Sequence, residues 1–318
     1  MLGHTRAHDY PAAGRPIVTI PPAPFIVGVP RSGTTLLRLM LDAHPQLAIP
    51  PETHFIPELV ESCVLAENPA HTFFTSLEQH FSWPDYHLEI EAIRARLGNS
   101  FDVGNAIRTF FLTYAGKFGK VRWGDKTPTY LTQMTGIEAV LPESRFIHII
   151  RDGRDVSLSI ADLWFGPHSG HKTAGEVARW WAARVNEGRR EGSKVRHYME
   201  LRFEDLVTES EPVLRRIAEF IDLPWDSSML DYHRTARERL AELQSTRFSG
   251  DKGITPEARR RIHAHTELPP SQGRAERWRT EMPLRDQQEF LEAAGELLDE
   301  LGYGRAGSTG AADKIPRH

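Results

Sequence analysis

The run FIVGVPRSGTTLLRLMLDAHP, Phe25 to Pro45, constrains the fold more than any other stretch of the chain. An apolar segment reaches Gly28, four residues separate it from Gly33, and Leu36, Leu37, Met40 and Leu41 then recur at helical spacing. Strand, glycine turn and helix in that order outline a phosphate-binding loop, in which backbone N–H groups converge on an anion at the helix N-terminus. The usual signature continues with Lys and then Ser or Thr, whereas Thr34 and Thr35 hold both places here. No lysine therefore reaches for the outer phosphates of a triphosphate. Arg31, Ser32, Thr34 and Thr35 supply a guanidinium and three hydroxyls, a set suited to a terminal phosphate bearing a second oxyanion. An ordinary glycine turn is the competing reading of the loop taken alone. On the helix, Arg38 and Asp42 stand four apart and are expected to pair on the solvent side.

The rest of the chain repeats the alternation of strand and helix. RFIHII reads as a second buried strand, with RDGRDVSLSIADLW as its helix. HYMELRFEDLV reads as a third strand with a polar exit, and AGEVARWWAARVNEGRR and EPVLRRIAEFI as helices, the latter with Pro212 near its start. RDQQEFLEAAGELLDELGY predicts an amphipathic closing helix, and residues 55–120 carry several helical patterns, clearest in VGNAIRTFFLTYAGK. The expectation is an α/β fold: a P-loop-like central parallel β-sheet flanked by helices, a single domain over 25–303 with a helical insertion near 55–120. Residues 1–24 read as a loose arm and 304–318 as a frayed tail.

Composition narrows the partners. Formal charge is −4 and the pI about 6.4 over 318 residues, so no basic field points to nucleic acid. Cys63 is the one cysteine, which excludes an internal disulfide and any multi-cysteine metal site. No apolar run spans a bilayer and the first residues carry no signal-peptide core, so a cytoplasmic protein is the expectation. Fifteen histidines include HSGH and HAH, yet none sits with acids at ligand spacing, so no metal is expected. ARRRIHAH reads as a solvated helix face. Trp180 and Trp181, with Val177 and Val185, read as core.

The second strand exit, IIRDGRDVSLSI, sets Arg151, Arg154 and Ser159 near the top of a neighbouring strand. Ligands of open α/β sheets bind beyond the carboxyl ends of the strands, so both exits can face one ligand with phosphates at two places. The alternative is a helix start where Asp152 and Asp155 favour the dipole and pair with the arginines. GVPRSGTTLL, RDGRDVSLS and LRFEDLV, in this order, resemble the sulfotransferases that use 3′-phosphoadenosine 5′-phosphosulfate (PAPS). The resemblance implies that Arg31, Ser32, Gly33, Thr34 and Thr35 hold the 5′ side, that Arg151 and Ser159 hold the 3′-phosphate, and that no metal takes part. The pattern is nearer still to the tyrosylprotein sulfotransferases and their bacterial relatives, in which the glutamate corresponding to Glu52 of PPETHF is the catalytic base. WGDKTPTY is similar to their lysine-bearing segment and makes Lys126 the candidate for the leaving oxygen. GRAERWRTEMP resembles a basic segment that closes over the donor, with Arg277 as its clamp, Trp278 packed beneath, and Arg274 and Arg279 as weaker candidates. Phe203 stands where many relatives carry tyrosine, which keeps a stacking role and drops a hydroxyl contact. His54 is a candidate for the acceptor pocket.

The reading is a sulfotransferase acting on the hydroxyl of a small metabolite, lipid, sugar or peptide tyrosine. A homodimer is left open. Two rivals remain at this level: a phosphotransferase or nucleotide hydrolase built on the same loop, and a non-catalytic nucleotide-binding protein. The missing loop lysine weighs against the first, and the presence of both Glu52 and Lys126 against the second.

Overall fold

A computed structural model describes residues 20–161, 173–245 and 253–304. Residues 1–19 of the N-terminal arm, the HSGH segment and the tail beyond residue 304 lie outside the described residues. β1 (Ala23–Gly28) leads through the glycine turn into α1 (Thr34–Asp42), and the short strand β2 (Leu47–Ala48) follows. Then come α2 (Ile56–Val64), α3 (Pro69–Gln79), α4 (Ile90–Leu97) and α5 (Val103–Gly116). Asn68 and Asp102 cap the N-termini of α3 and α5 through their side chains. Two-residue strands β3 (Arg122–Trp123) and β4 (Asp125–Lys126) precede α6 (Met134–Val140), β5 (Ser144–Ile150) and α7 (Gly153–Ala161). α8 (Ala174–Gly192) opens on a capping box of Thr173 and Glu176. The remaining elements are β6 (Tyr198–Arg202), α9 (Phe203–Thr208), α10 (Ser210–Phe220), α11 (His233–Leu240), α12 (Pro256–His263), α13 (Trp278–Glu281) and α14 (Leu284–Glu300).

The main sheet has the order β4-β1-β5-β6 and is parallel throughout, while β2 and β3 form a separate parallel pair. β1 pairs with β5 from Ala23 opposite Ser144 to Gly28 opposite Ile149. Side chains alternate between two cores. Phe25, Val27 and Phe146 join the aromatic cluster of α2 to α6. Ile26, Ile147 and Ile149 join the cluster of α1, α9, α10 and α11 on the opposite face. A third core gathers Val29 and Ile150 with α7, α8, α13 and α14. Gly28 is needed where β1 meets β5, because a Cβ there would lie 2.5 Å from the Ile149 carbonyl oxygen.

Two expectations are corrected. Arg38 and Asp42 do not face water: all nine residues of α1 are buried, because the helix is covered by the sheet on one side and by α11 on the other. Asp42 accepts from Arg239 at 2.7 and 3.0 Å and from the Ile49 N–H at 2.8 Å, while Arg38 donates to the Ile49 carbonyl at 2.9 Å. The closing helix is not continuous either. Ala294 takes φ −144, ψ 15, next to Gly295, and bends α14 there. Among the described residues no helix is long and apolar enough to cross a membrane.

Candidate active site

Four parallel strands bring four chain exits to one edge of the sheet. β4 ends on Lys126, β1 runs into the loop of Arg31 to Thr35, β5 ends before Arg151, and β6 is followed at once by Phe203. Motifs that the sequence spreads from Arg31 to Phe203 therefore become neighbours.

Arg31 joins the first two. Its Nε donates to Ser159 Oγ at 3.0 Å, and its carbonyl accepts from Arg151 Nη1 at 3.2 Å. Gly33 is the N-cap of α1 with φ 95, and no side chain caps that helix. The N–H groups of its first turn are thus available to an anion. Ser32 is fully buried, and its Oγ has no hydrogen-bond partner among the described residues; the same holds for Arg151 Nε. Buried donors of this kind call for an acceptor. Phe203 forms the floor. A Cβ on Gly33 would lie 2.3 Å from Phe203 Cδ2, and the Arg151 guanidinium sits 4.6 Å from the Phe203 ring centre. Arg154, grouped with Arg151 by sequence, is instead structural. It grips Asp152 at 3.0 and 2.7 Å and the Tyr303 carbonyl at 2.9 Å, so the pairing of Asp152 and Asp155 with arginines also holds.

A second cluster lies across Thr35. Lys126 Nζ is 2.5 Å from Glu52 Oε1 and donates to Thr35 Oγ1 at 3.3 Å. His54 Nε2 is 3.0 Å from Glu52 Oε2. Burial alone would raise the Glu52 carboxyl, but the Lys126 ammonium and the His54 contact hold it well below the usual carboxylate range. Burial also lowers the Lys126 ammonium, with Glu52 pulling the other way. Arg31 and His54 take φ 76 and 57, a region that side chains rarely adopt.

Beneath Glu52 runs a buried polar network that sequence reading passes over. Asp125 Oδ2 accepts from Thr53 Oγ1 at 2.8 Å and Thr127 Oγ1 at 3.3 Å, and Thr53 Oγ1 meets Tyr130 Oη at 2.9 Å. The Thr53 carbonyl accepts from Ser82 Oγ at 2.9 Å. This ties the Glu52–Thr53–His54 segment to β4, the strand that carries Lys126. Burial pushes the Asp125 carboxyl up to about 6, against the hydroxyls of Thr53 and Thr127.

Three further placements differ from expectation. The segment ARRRIHAH is not a plain solvated face: Arg259 anchors α12 to Asp85 at 2.8 and 2.7 Å, and His263, one turn on, is half-buried. Burial, with the nearby charges of Lys126 and Arg31, pulls the His263 imidazole down to about 3, so this end of α12 lies near the Glu52–Lys126 cluster. Trp181, Val177 and Val185 are core as expected, but Trp180 is only half-buried and lines a cavity beside Pro30 and His54. Trp278 is buried and packs under Arg154, 3.4 Å from its ring centre, and under Arg279 at 4.6 Å. Arg277 pairs with Glu281 at 2.6 Å, and the contact from this segment to Arg151 is the Arg274 carbonyl, accepting at 2.6 Å. Among the described residues no group of three or more His, Cys, Asp or Glu side chains is placed to hold a metal ion.

The sequence profile described as "Sulfotransferase family" matches residues 22–227, a span containing these site residues except Arg259, His263, the segment around Arg277 and Tyr303. Protein-tyrosine sulfotransferase A of Caenorhabditis elegans is 26% identical over 240 residues, covering 73% of this chain and 58% of the relative. The protein-tyrosine sulfotransferase of Drosophila melanogaster is 31% identical over 247 residues, covering 74% of this chain and 45% of the relative. The chain thus spans about half the length of these curated relatives. Among solved structures, the sulfotransferase domain from the curacin biosynthetic pathway shares the fold with a TM-score of 0.51 at 21% identity, over 87% of this chain and 98% of that one. With the profile running from the first strand of the sheet to beyond α10, the chain belongs to the sulfotransferase family.

Proposed function

We propose that the protein transfers a sulfuryl group from PAPS to an acceptor hydroxyl and releases adenosine 3′,5′-bisphosphate. The observation that carries this reading is the contact of Arg31 Nε with Ser159 Oγ at 3.0 Å, because it joins two anion-binding strand exits at one sheet edge. The donor has phosphates at two places, and the buried donors without partners, Ser32 Oγ and Arg151 Nε, fit such a ligand. Ser32, Gly33, Thr34 and Thr35 would hold the 5′ side, Arg151 and Ser159 the 3′-phosphate, and Phe203 and Arg277 the surrounding wall. No metal enters the proposal.

The donor supplies the sulfuryl group on a phosphate leaving group. The acceptor oxygen forms a bond to sulfur as the sulfur–oxygen bond to phosphate breaks, and the acceptor proton goes to Glu52. Arg31 and Lys126 stabilise the charge left on the phosphate. A base held well below the usual carboxylate range is weak, and the Lys126 ammonium is the main counter-charge that holds it there. One ammonium cannot fully serve both Glu52 and a leaving oxygen. As Lys126 turns to the growing negative charge, Glu52 becomes the stronger base when the proton must move.

The reading asks only for a hydroxyl, and the relatives named protein-tyrosine sulfotransferases make a phenol the first to try. Incubation with labelled PAPS and a cell extract, followed by mass identification of the sulfated product, tests it. Transfer of label with release of adenosine 3′,5′-bisphosphate is expected. Binding of that nucleotide without any transfer leaves a nucleotide-binding protein, and ATP binding strengthened by magnesium would indicate a phosphotransferase.

A further inference from the structure

The cavity lined by Pro30, His54 and Trp180 has a volume of about 340 Å³ and adjoins the reacting corner. Pro30 immediately precedes Arg31, and the His54 imidazole is 3.0 Å from the Glu52 carboxylate, so one end of the cavity abuts the base. Its walls are mainly carbon and neutral polar groups, with Tyr130, Leu131 and Trp180 as the large side chains. The Tyr130 hydroxyl is already engaged, accepting from the Ile56 N–H at 2.9 Å.

A single formally charged residue stands among the described lining residues, Arg184, one helical turn after Trp180 on α8. Its Nη1 pairs with Glu187 at 3.1 Å, and its side chain is 43% exposed. A guanidinium has five N–H donors, so one on the wall of an apolar slot is suited to an anionic group even while it holds one carboxylate. No carboxylate lines the described wall to oppose that group. The volume is at the low end of the range for small-molecule pockets. A tyrosine within a polypeptide could put its phenol into this cavity, but its side chain brings no acid to Arg184.

Resting on the proposed transfer, we propose that the acceptor is a small hydroxyl compound with a flat apolar body and an acidic group, not a tyrosine within a polypeptide. The hydroxyl enters beside His54 and Glu52, the body lies along Trp180, and the acid meets Arg184. Its oxygen gains the sulfuryl group from PAPS, its proton passes to Glu52, and adenosine 3′,5′-bisphosphate leaves.

The test compares three acceptors under saturating PAPS: hydroxyphenylpropanoate, its methyl ester, and a tyrosine peptide with uncharged flanks. The acid should have a kcat/KM about tenfold above the ester, a preference that Arg184→Gln abolishes and Arg184→Lys partly restores. The peptide should be the poorest acceptor of the three. Equal rates for acid and ester, a preference that survives Arg184→Gln, or the peptide as best acceptor would each overturn the assignment. Calorimetry keeps the two readings apart. Adenosine 3′,5′-bisphosphate binding reports on the donor site and on the folding of each variant, while binding of the acid but not the ester reports on the cavity without any turnover. Absence of acid binding in a protein that binds the nucleotide refutes the acceptor class and leaves the transfer reading standing.

Discussion

Lys126 Nζ lies 2.5 Å from Glu52 Oε1, so a single ammonium neutralises the carboxylate proposed to take the acceptor proton. Glu52→Gln keeps the shape and removes the base, and turnover should fall by roughly 10²–10⁴ while nucleotide affinity holds. Lys126→Met should lower turnover as well, and it should also move the acidic limb of kcat/KM. Lys126 is a main influence lowering the Glu52 carboxyl, so its loss lets that carboxyl rise and shifts the limb to higher pH. A pH profile of the variant with the limb in its original place would detach Glu52 from the limb.

The Arg31–Ser159 contact predicts selectivity for a nucleotide with two phosphate positions. Adenosine 3′,5′-bisphosphate should bind more tightly than AMP, by about 1.5–3 kcal/mol for each charge-assisted contact to the 3′-phosphate. Arg151→Ala should remove most of that difference in calorimetry. Equal affinities in the parent protein would end the two-phosphate assignment.

Glu204 predicts a pH dependence of stability. It accepts from the Asp152 N–H at 3.1 Å and faces the Tyr303 hydroxyl at 3.1 Å, whose one proton is also wanted by the Ile150 carbonyl at 3.2 Å. A protonated Glu204 settles that competition by donating to Tyr303. Burial is the main cause that pushes its carboxyl up to about 7 from an ordinary 4.5. A carboxyl raised on folding binds more protons in the native state between those values, so its contribution is present below the lower one and is lost as pH rises towards 7. Glu204→Gln should flatten the fall in stability between pH 5 and pH 8, a change of about 1–3 kcal/mol in urea titrations. Parallel curves for parent and variant would show that the carboxyl stays ionised.

Arg239 carries a different kind of risk. It is 5% exposed and holds the buried Asp42 with two hydrogen bonds, with Glu242 at 2.9 Å and the Tyr114 hydroxyl at 2.7 Å around it. Arg239→Leu leaves Asp42 without its hydrogen-bonded cation and Glu242 with Arg38 alone, and should cost about 3–5 kcal/mol in chemical unfolding. Adding Asp42→Asn should recover part of the loss, and a double variant no better than the single one would place the cost elsewhere.

These residues mark where sequence reading stops. The strands β1 and β5 are legible because two-sided burial leaves apolar runs, whereas β6 is a half-buried edge strand, and the loop and Ser159 are legible because the proposed anion binding asks for particular residues at fixed offsets. Arg38 and Asp42 mislead because helical spacing assigns charged residues to water, and their partners Arg239 and Glu242 lie about two hundred positions away. β4 has two residues and no period to read. His263 reaches the corner through an anchor, Arg259 to Asp85, that spans 174 positions. Periodicity reports which side of an element meets the interior, and it carries no address for the charge that waits there. The Glu52–Lys126 pair is a middle case: each lies in its own short motif, and only the sheet order brings them together.

The wall behind Arg151 is assembled from the far end of the chain. The Arg274 carbonyl, the Trp278 N–H on Asp155 at 2.9 Å and the Tyr303 carbonyl on Arg154 all meet the helix start after β5. A ribosome that has released β1, α1, β5 and α7 has produced the loop, Arg151 and Arg154, but not the groups that hold those two arginines in place. The proposed nucleotide pocket therefore matures only when residues 274–303 have been made. A nascent chain arrested before α13 should carry both motifs and still fail to retain the nucleotide.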